Sequence, residues 1–176
     1  MNKLSFKLIT LFVFCLSASV FSQTNEELKA SALRDAKATS KATLEMDFET
    51  VFKHTYPSII EVMGGKESGL KLLKDTFDGM KTQGFVFEKA DIISVSDIVF
   101  EQDEYRCYVE GYNQMTMSGM RIKATSYLLG IYNKEKEVWY FIEAKQMSNK
   151  AMMDKVLPGF ETSLEIPEGS TTTEQI

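Results

Sequence analysis

The chain has one histidine, His54, and imidazole is the side chain best suited to moving protons near neutral pH. A catalytic histidine needs a carboxylate to orient it. Asp47, Glu49 and Glu61 lie near it in the chain, and spacing alone selects none of them. A histidine at a helix C-terminus also serves as a cap favoured by the macrodipole, so a surface or capping role is the simpler reading. Glu110 and Glu143 lie on central strands of the β-patterned region. A carboxyl group in a dry pocket has a raised pKa and exchanges protons near neutrality. Glu110 alternates with Arg106, Tyr108 and Gln114, the pattern of a solvated face. Glu143 shares its face with Trp139 and Phe141 and is the better acid candidate. No residue is assigned a catalytic role; Glu143 and His54 stand as candidates.

Soft ligands form a second group. Met115, Met117 and Met120 surround Ser118-Gly119, and thioethers so spaced suit Cu(I). Methionines also fill gaps in cores, and a chain with 10 of them favours that reading, so no metal or cofactor is expected. Tyr56, Tyr112, Tyr127, Trp139 and Tyr140 are pocket candidates, each with an apolar body and one polar tip, although ordinary core and sheet positions use the same side chains. There is no Ser/His/Asp order and no glycine-rich phosphate loop; Gly64-Gly65 reads as a chain break.

The N-terminus bounds the compartment. Lys3 and Lys7 precede an apolar run from Leu8 to Val20, and Ala18, Ser19 and Ser22 supply small residues. This is the layout of a secretory signal peptide over residues 1–22, with cleavage expected between Ser22 and Gln23. The run is too short for a hydrocarbon core that needs about 20 apolar residues, so no membrane insertion is expected after cleavage. Acylation of Cys15 is disfavoured by the bulky Phe14 before it and by its place inside the run. The expected location is periplasmic or secreted. Loss of Lys3 and Lys7 takes the formal charge from −5 to −7, and with no offsetting basic cluster nucleic acid is not an expected partner. Cys107 is then the sole cysteine, which precludes an intrachain disulfide; it reads as a small buried residue.

These side chains must be positioned by two kinds of element. Thr24 and Glu27 fit a capping box, but residues 23–43 are rich in Ala, Ser, Thr and Lys and are expected to form a polar, partly helical lead-in. A single α+β domain is expected over 44–157. Its first helical stripe is Leu44, Phe48, Val51, Phe52 and Thr55, ended by the constraint of Pro57 on Tyr56. A short piece from Ser58 to Met63 follows. Leu70, Leu73, Phe77 and Met80 mark a second helix, stopped by Gly84. From there the pattern alternates. Strands are expected over Phe85–Val95, with Ile98–Phe100 extending it or forming an edge, then over Tyr105–Met117, Met120–Tyr132 and Glu137–Gln146. Turns as short as Ser118-Gly119 require antiparallel neighbours. Residues 148–156 read as a closing helix and 158–176 as a flexible tail. Leu73 and Phe77 are expected beneath the strand that carries Val138, Tyr140 and Ile142.

The fold class is thus α+β, with N-terminal helices packed on a curved antiparallel sheet of four or more strands in a cone-like roll. This order, the Thr55-Tyr56-Pro57 break before Gly64-Gly65, and the Trp139-Tyr140-Phe141 strand resemble the cystatin-like cone of the nuclear-transport-factor-2-like (SnoaL-like) superfamily over roughly residues 44–147. The resemblance implies a container used for many tasks. An exported domain that binds a small apolar or amphipathic ligand or a protein partner, pairing as a homodimer through its sheet face, is the leading expectation. An isomerase, dehydratase or cyclase using an acid or His54 in the cone is the alternative, and an envelope scaffold or interaction protein is a third.

Overall fold

Thr24 and Glu27 close the capping box that opens the first helix: Glu27 N–H donates to Thr24 Oγ1 (3.2 Å), and Thr24 N–H donates to Glu27 Oε2 (2.8 Å). The computed structural model describes residues 23–176; the segment expected to be a signal peptide, with Cys15, lies outside the described residues. The helices are α1 (Asn25–Glu45), α2 (Phe48–Lys53), α3 (Pro57–Val62) and α4 (Lys66–Thr82). The strands β1 (Val86–Val95), β2 (Val99–Glu101), β3 (Glu104–Met117), β4 (Met120–Asn133) and β5 (Val138–Glu143) follow. A 3-10 turn (Ala144–Ser148), α5 (Lys150–Val156) and β6 (Ser170–Gln175) complete the chain.

The expected meander is present, and every pairing in it is antiparallel. β1 and β2 share one edge of β3, β4 is the next strand, and β5 and β6 share the outer edge of β4. The tight turn at Ser118 (φ 51°) and Gly119 (φ 77°) has both residues left-handed, the geometry that matches the twist of a two-residue hairpin.

Alternation sorts the side chains onto two faces. One carries Val95, Cys107, Val109, Tyr132, Trp139 and Phe141, buried against Leu28, Ala32 and Ala36 of α1. The polar lead-in is therefore the central core helix, a correction with a simple cause. Leu28, Ala32, Asp35 and Ala36 fall on one stripe, and small residues let the backbone approach the sheet closely while adding little to the apolar pattern. Gly130 makes room on the sheet side: a Cβ there would lie 3.0 Å from Cys107 Sγ and 3.3 Å from the rings of Phe141 and Trp139.

The opposite face carries Leu129, Ile131 and Ile142, covered by Met153, Val156 and Leu157 with Tyr56, Ile59, Phe160, Leu164 and Ile166 around them. Phe77 does not lie there. Its ring meets Phe48 (5.1 Å between centroids), Phe85 (6.0 Å) and Phe87 (5.9 Å), so α4 packs on α2 and the start of β1. The stripe from Leu44 to Thr55 is also divided. Met46 is left-handed (φ 57°), and Asp47 caps a new helix by accepting from Thr50 N–H (3.2 Å). The last residues of the tail form β6 on β4, where Glu174 pairs with Lys123 (3.0 Å) and Arg121 (3.4 Å).

Candidate functional site

β5 is short, and its outer edge needs partners because β6 continues the lane only further along β4. Four backbone groups of Trp139 and Phe141 point outward, and three residues satisfy them. Trp139 N–H donates to Asp35 Oδ2 (3.0 Å), and Trp139 O lies 3.1 Å from His54 Nδ1. Phe141 N–H donates to His54 O (2.7 Å), and Tyr56 N–H donates to Phe141 O (3.2 Å). A carbonyl only accepts, so Nδ1 of His54 carries a hydrogen. His54 Nδ1 is also 4.0 Å from Asp35 Oδ2. His54 is 4% exposed and Asp35 5%, so the histidine caps α2 but is not a surface residue. Trp139 Nε1–H completes the cap by donating to Ser31 Oγ (2.8 Å) on α1.

Glu143 stands on the α1 side of β5, half-buried, and burial raises its pKa, with Lys145 opposing. Glu110 accepts from Ser94 Oγ (2.9 Å) on the part of the other face that α5 and the tail leave uncovered. Arg106, its neighbour in alternation, is 2% exposed. Its guanidinium donates to Glu104 Oε2 (2.8 Å), Gln102 Oε1 (2.9 Å) and Glu161 O (2.7 Å), and it stacks on Phe160 at 4.6 Å. A solvated reading of Arg106 is thus corrected: it anchors the tail.

The aromatic candidates divide into separate places. Trp139 is fully buried in the α1 core and lines no opening. Tyr112 donates to Gln114 Oε1 (3.0 Å), and Tyr127 stands edge-on to Tyr108 at 5.9 Å, both on the hydrated part of the sheet. Tyr56 and Tyr140 do come together, edge-on at 6.2 Å. Met115, Met117 and Met120 share the α1-side face, with Met117 directly opposite Met120 in the ladder. Cys107 is enclosed, and burial pushes its thiol up to about 12. Among the described residues, no three His, Cys, Asp or Glu side chains gather as a metal-holding group, and no helix is long and apolar enough to cross a membrane.

Tyr140 and Pro57 wall two adjoining clefts on the side of the sheet away from α1. The larger, about 490 Å³, has Phe52, Ile60, Val138 and Tyr140 in its lining and Glu49, Lys53, Lys66 and Lys136 among its polar groups. The smaller, about 130 Å³, is lined by Tyr56, Glu104, Ile131 and Tyr132 among others. Burial, followed by the charge of Glu104, raises the pKa of Tyr56. The crossing segment 54–56, bridged to Phe141, sets α2 and α3 beside β5 and so opens this space. Sequence reasoning found Tyr56 and Tyr140 but not the lysines, which are ordinary surface residues until α2, the start of α4 and the β4–β5 turn come to line one cleft. Asp35 was equally silent, one acid in an Ala- and Lys-rich run. No family model, curated protein or solved structure matches this chain.

Proposed function

We propose that this is an exported, non-catalytic binding domain that holds a small amphipathic ligand in the cleft beside Tyr140. The observation that carries the reading is the roughly 490 Å³ opening with an apolar floor and a few polar groups, which falls in the usual range of about 300–1,000 Å³ for ligand sites. The chemistry of its lining suits binding rather than proton transfer, because the ionisable side chains there are three lysines, one glutamate already paired with Lys66, and the phenol of Tyr140. The acid–base candidates stand elsewhere. Glu143 lies on the α1 side of the sheet, and His54 Nδ1 is engaged by Trp139 O. The charged n-region and apolar run at the N-terminus support export, and the element order supports a container fold of the nuclear-transport-factor-2-like kind.

The test uses three eight-carbon probes, octanol, octanoate and octylammonium, titrated into the isotope-labelled protein of residues 23–176. At least one is expected to shift the amides of Thr55, Val138 and Tyr140 in a saturable way. Shifts confined to the β3–β4 hairpin, or none with any probe, would overturn the reading.

A further inference from the structure

We infer that the ligand is an anion: a carboxylate on an apolar body, its head held by Lys53 and Lys136. This rests on the cleft reading above and specifies its chemistry. Three lysines and one glutamate line the larger cleft. Glu49 forms an ion pair with Lys66, so that pair is close to neutral. Lys53 and Lys136 have no carboxylate within ion-pair distance among the described residues. Lys136 Nζ lies 6.0 Å from the centroid of the Tyr140 ring, at the boundary between the charged rim and the apolar floor.

Two unmatched cations line one apolar cleft in a chain whose formal charge is −5 overall. Lys71 pairs with Asp75, Lys74 with Asp78, Lys123 with Glu174 and Lys150 with Asp154, while lysines such as Lys37, Lys89 and Lys155 stand on the surface unpaired among the described residues; what sets Lys53 and Lys136 apart is that they line one apolar cleft. Ammonium groups are point charges without the planar fork of arginine, so they attract a head group without demanding bidentate geometry. The floor of Phe52, Ile60, Val138 and Tyr140 removes the ligand's hydrocarbon from water. The Glu49–Lys66 pair marks the rim where a second negative charge on the ligand gains least, which favours a monoanion.

The same three probes test this separately from the cleft itself. Octanoate is expected to bind about tenfold tighter than octanol, the yield of two partly exposed charge pairs. Octylammonium is expected to bind most weakly. Lys53→Gln with Lys136→Gln should bring octanoate down to the octanol affinity while leaving octanol unchanged. Glu49→Gln frees Lys66 and should tighten octanoate a few-fold. The advantage of octanoate should also shrink in 0.5 M salt, where screening acts within about 4 Å. Equal binding of octanoate and octanol at the cleft would overturn the anion inference and leave the cleft standing, as would a preference for octylammonium. Octanoate binding insensitive to the double lysine substitution overturns it too. Failure of all three probes overturns both readings.

Discussion

Asp35 and His54 show how two residues with catalytic side chains serve a strand instead. Both are almost wholly buried, and each meets a backbone group of Trp139 that no neighbouring strand reaches. The buried Trp139 N–H is left unsatisfied in Asp35→Ala. Losing a hydrogen bond to a charged acceptor costs about 1.5–3 kcal/mol, and a buried unpaired group adds to that. Asp35→Ala is therefore expected to lower stability by at least about 2 kcal/mol in urea melts. His54→Ala should cost less than Asp35→Ala, because the orphan it leaves is a carbonyl, which tolerates under-satisfaction better than an N–H. A loss under about 0.5 kcal/mol for Asp35→Ala, the range of ordinary surface changes, would show that water replaces the carboxylate. Little of this was legible beforehand. The single histidine drew attention by its type, but its role depended on Trp139, 85 positions away. Nothing in the run around Asp35 separated it from a solvated charge.

At the scale of elements the strands were the legible part. Their alternation and two-residue turn specify the ladder, and the observed register from Arg106↔Ile131 to Met117↔Met120 has no slip. The helices were ranked in the wrong order for the core. The more hydrophobic pattern of α4 suggested the helix that covers the sheet, yet only Gly69 of α4 is buried, where it lets Phe52 approach. Hydrophobic periodicity measures how much apolar surface a helix has to hide. It does not register that a helix with a stripe of alanine fits closest to a sheet. The two helices should respond to opposite changes. Ala32 is fully buried between α1 and the sheet, so Ala32→Leu overfills a closed space and should cost about 1–3 kcal/mol. Phe77 is only half-buried, so Phe77→Ala should cost less than the about 3–5 kcal/mol of a fully buried Phe. Lys74→Ala, on the exposed side of α4, should stay below about 0.5 kcal/mol. If Ala32→Leu is tolerated and Phe77→Ala is the costlier change by thermal and urea unfolding, α4 and not α1 carries the core.

At the scale of the whole molecule, the chain covers part of one face of its sheet and extends one edge of β4 with the segment after α5. The segment after α5 covers Leu129 and Ile142 through Leu164 and Ile166, then enters β4 as β6. Its attachment depends on polar groups, because every residue of β6 is exposed. Arg106 holds Glu161 O, and Glu101 holds the next two residues, accepting from Thr162 Oγ1 (2.8 Å), Ser163 N–H (3.0 Å) and the Ser163 hydroxyl. The Ser163 hydroxyl, then its N–H and the Thr162 hydroxyl, hold the Glu101 carboxyl below its usual value of 4.5. The direction of the pH effect follows by linkage. With the tail released, Glu101 takes up a proton near its ordinary value; with the tail docked it resists until the pH is lower. The docked state is thus fully favoured above the ordinary range and loses that advantage as the pH falls through the lowered value. Hydrogen exchange measured across this acid window, corrected for its intrinsic pH dependence, should show the amides of residues 163–175 losing protection before those of Val109 and Leu129. Glu101→Gln should shift that early loss to neutral pH, since an amide accepts fewer of these bonds and carries no charge, and should leave the β3–β4 core protected. Loss of protection together in tail and core would mean that the tail is not a separate unit. Loss of tail protection at the same pH in Glu101→Gln and the unaltered chain would assign the acid sensitivity to Glu174, whose pairs with Lys123 and Arg121 are the other charged tie to β4.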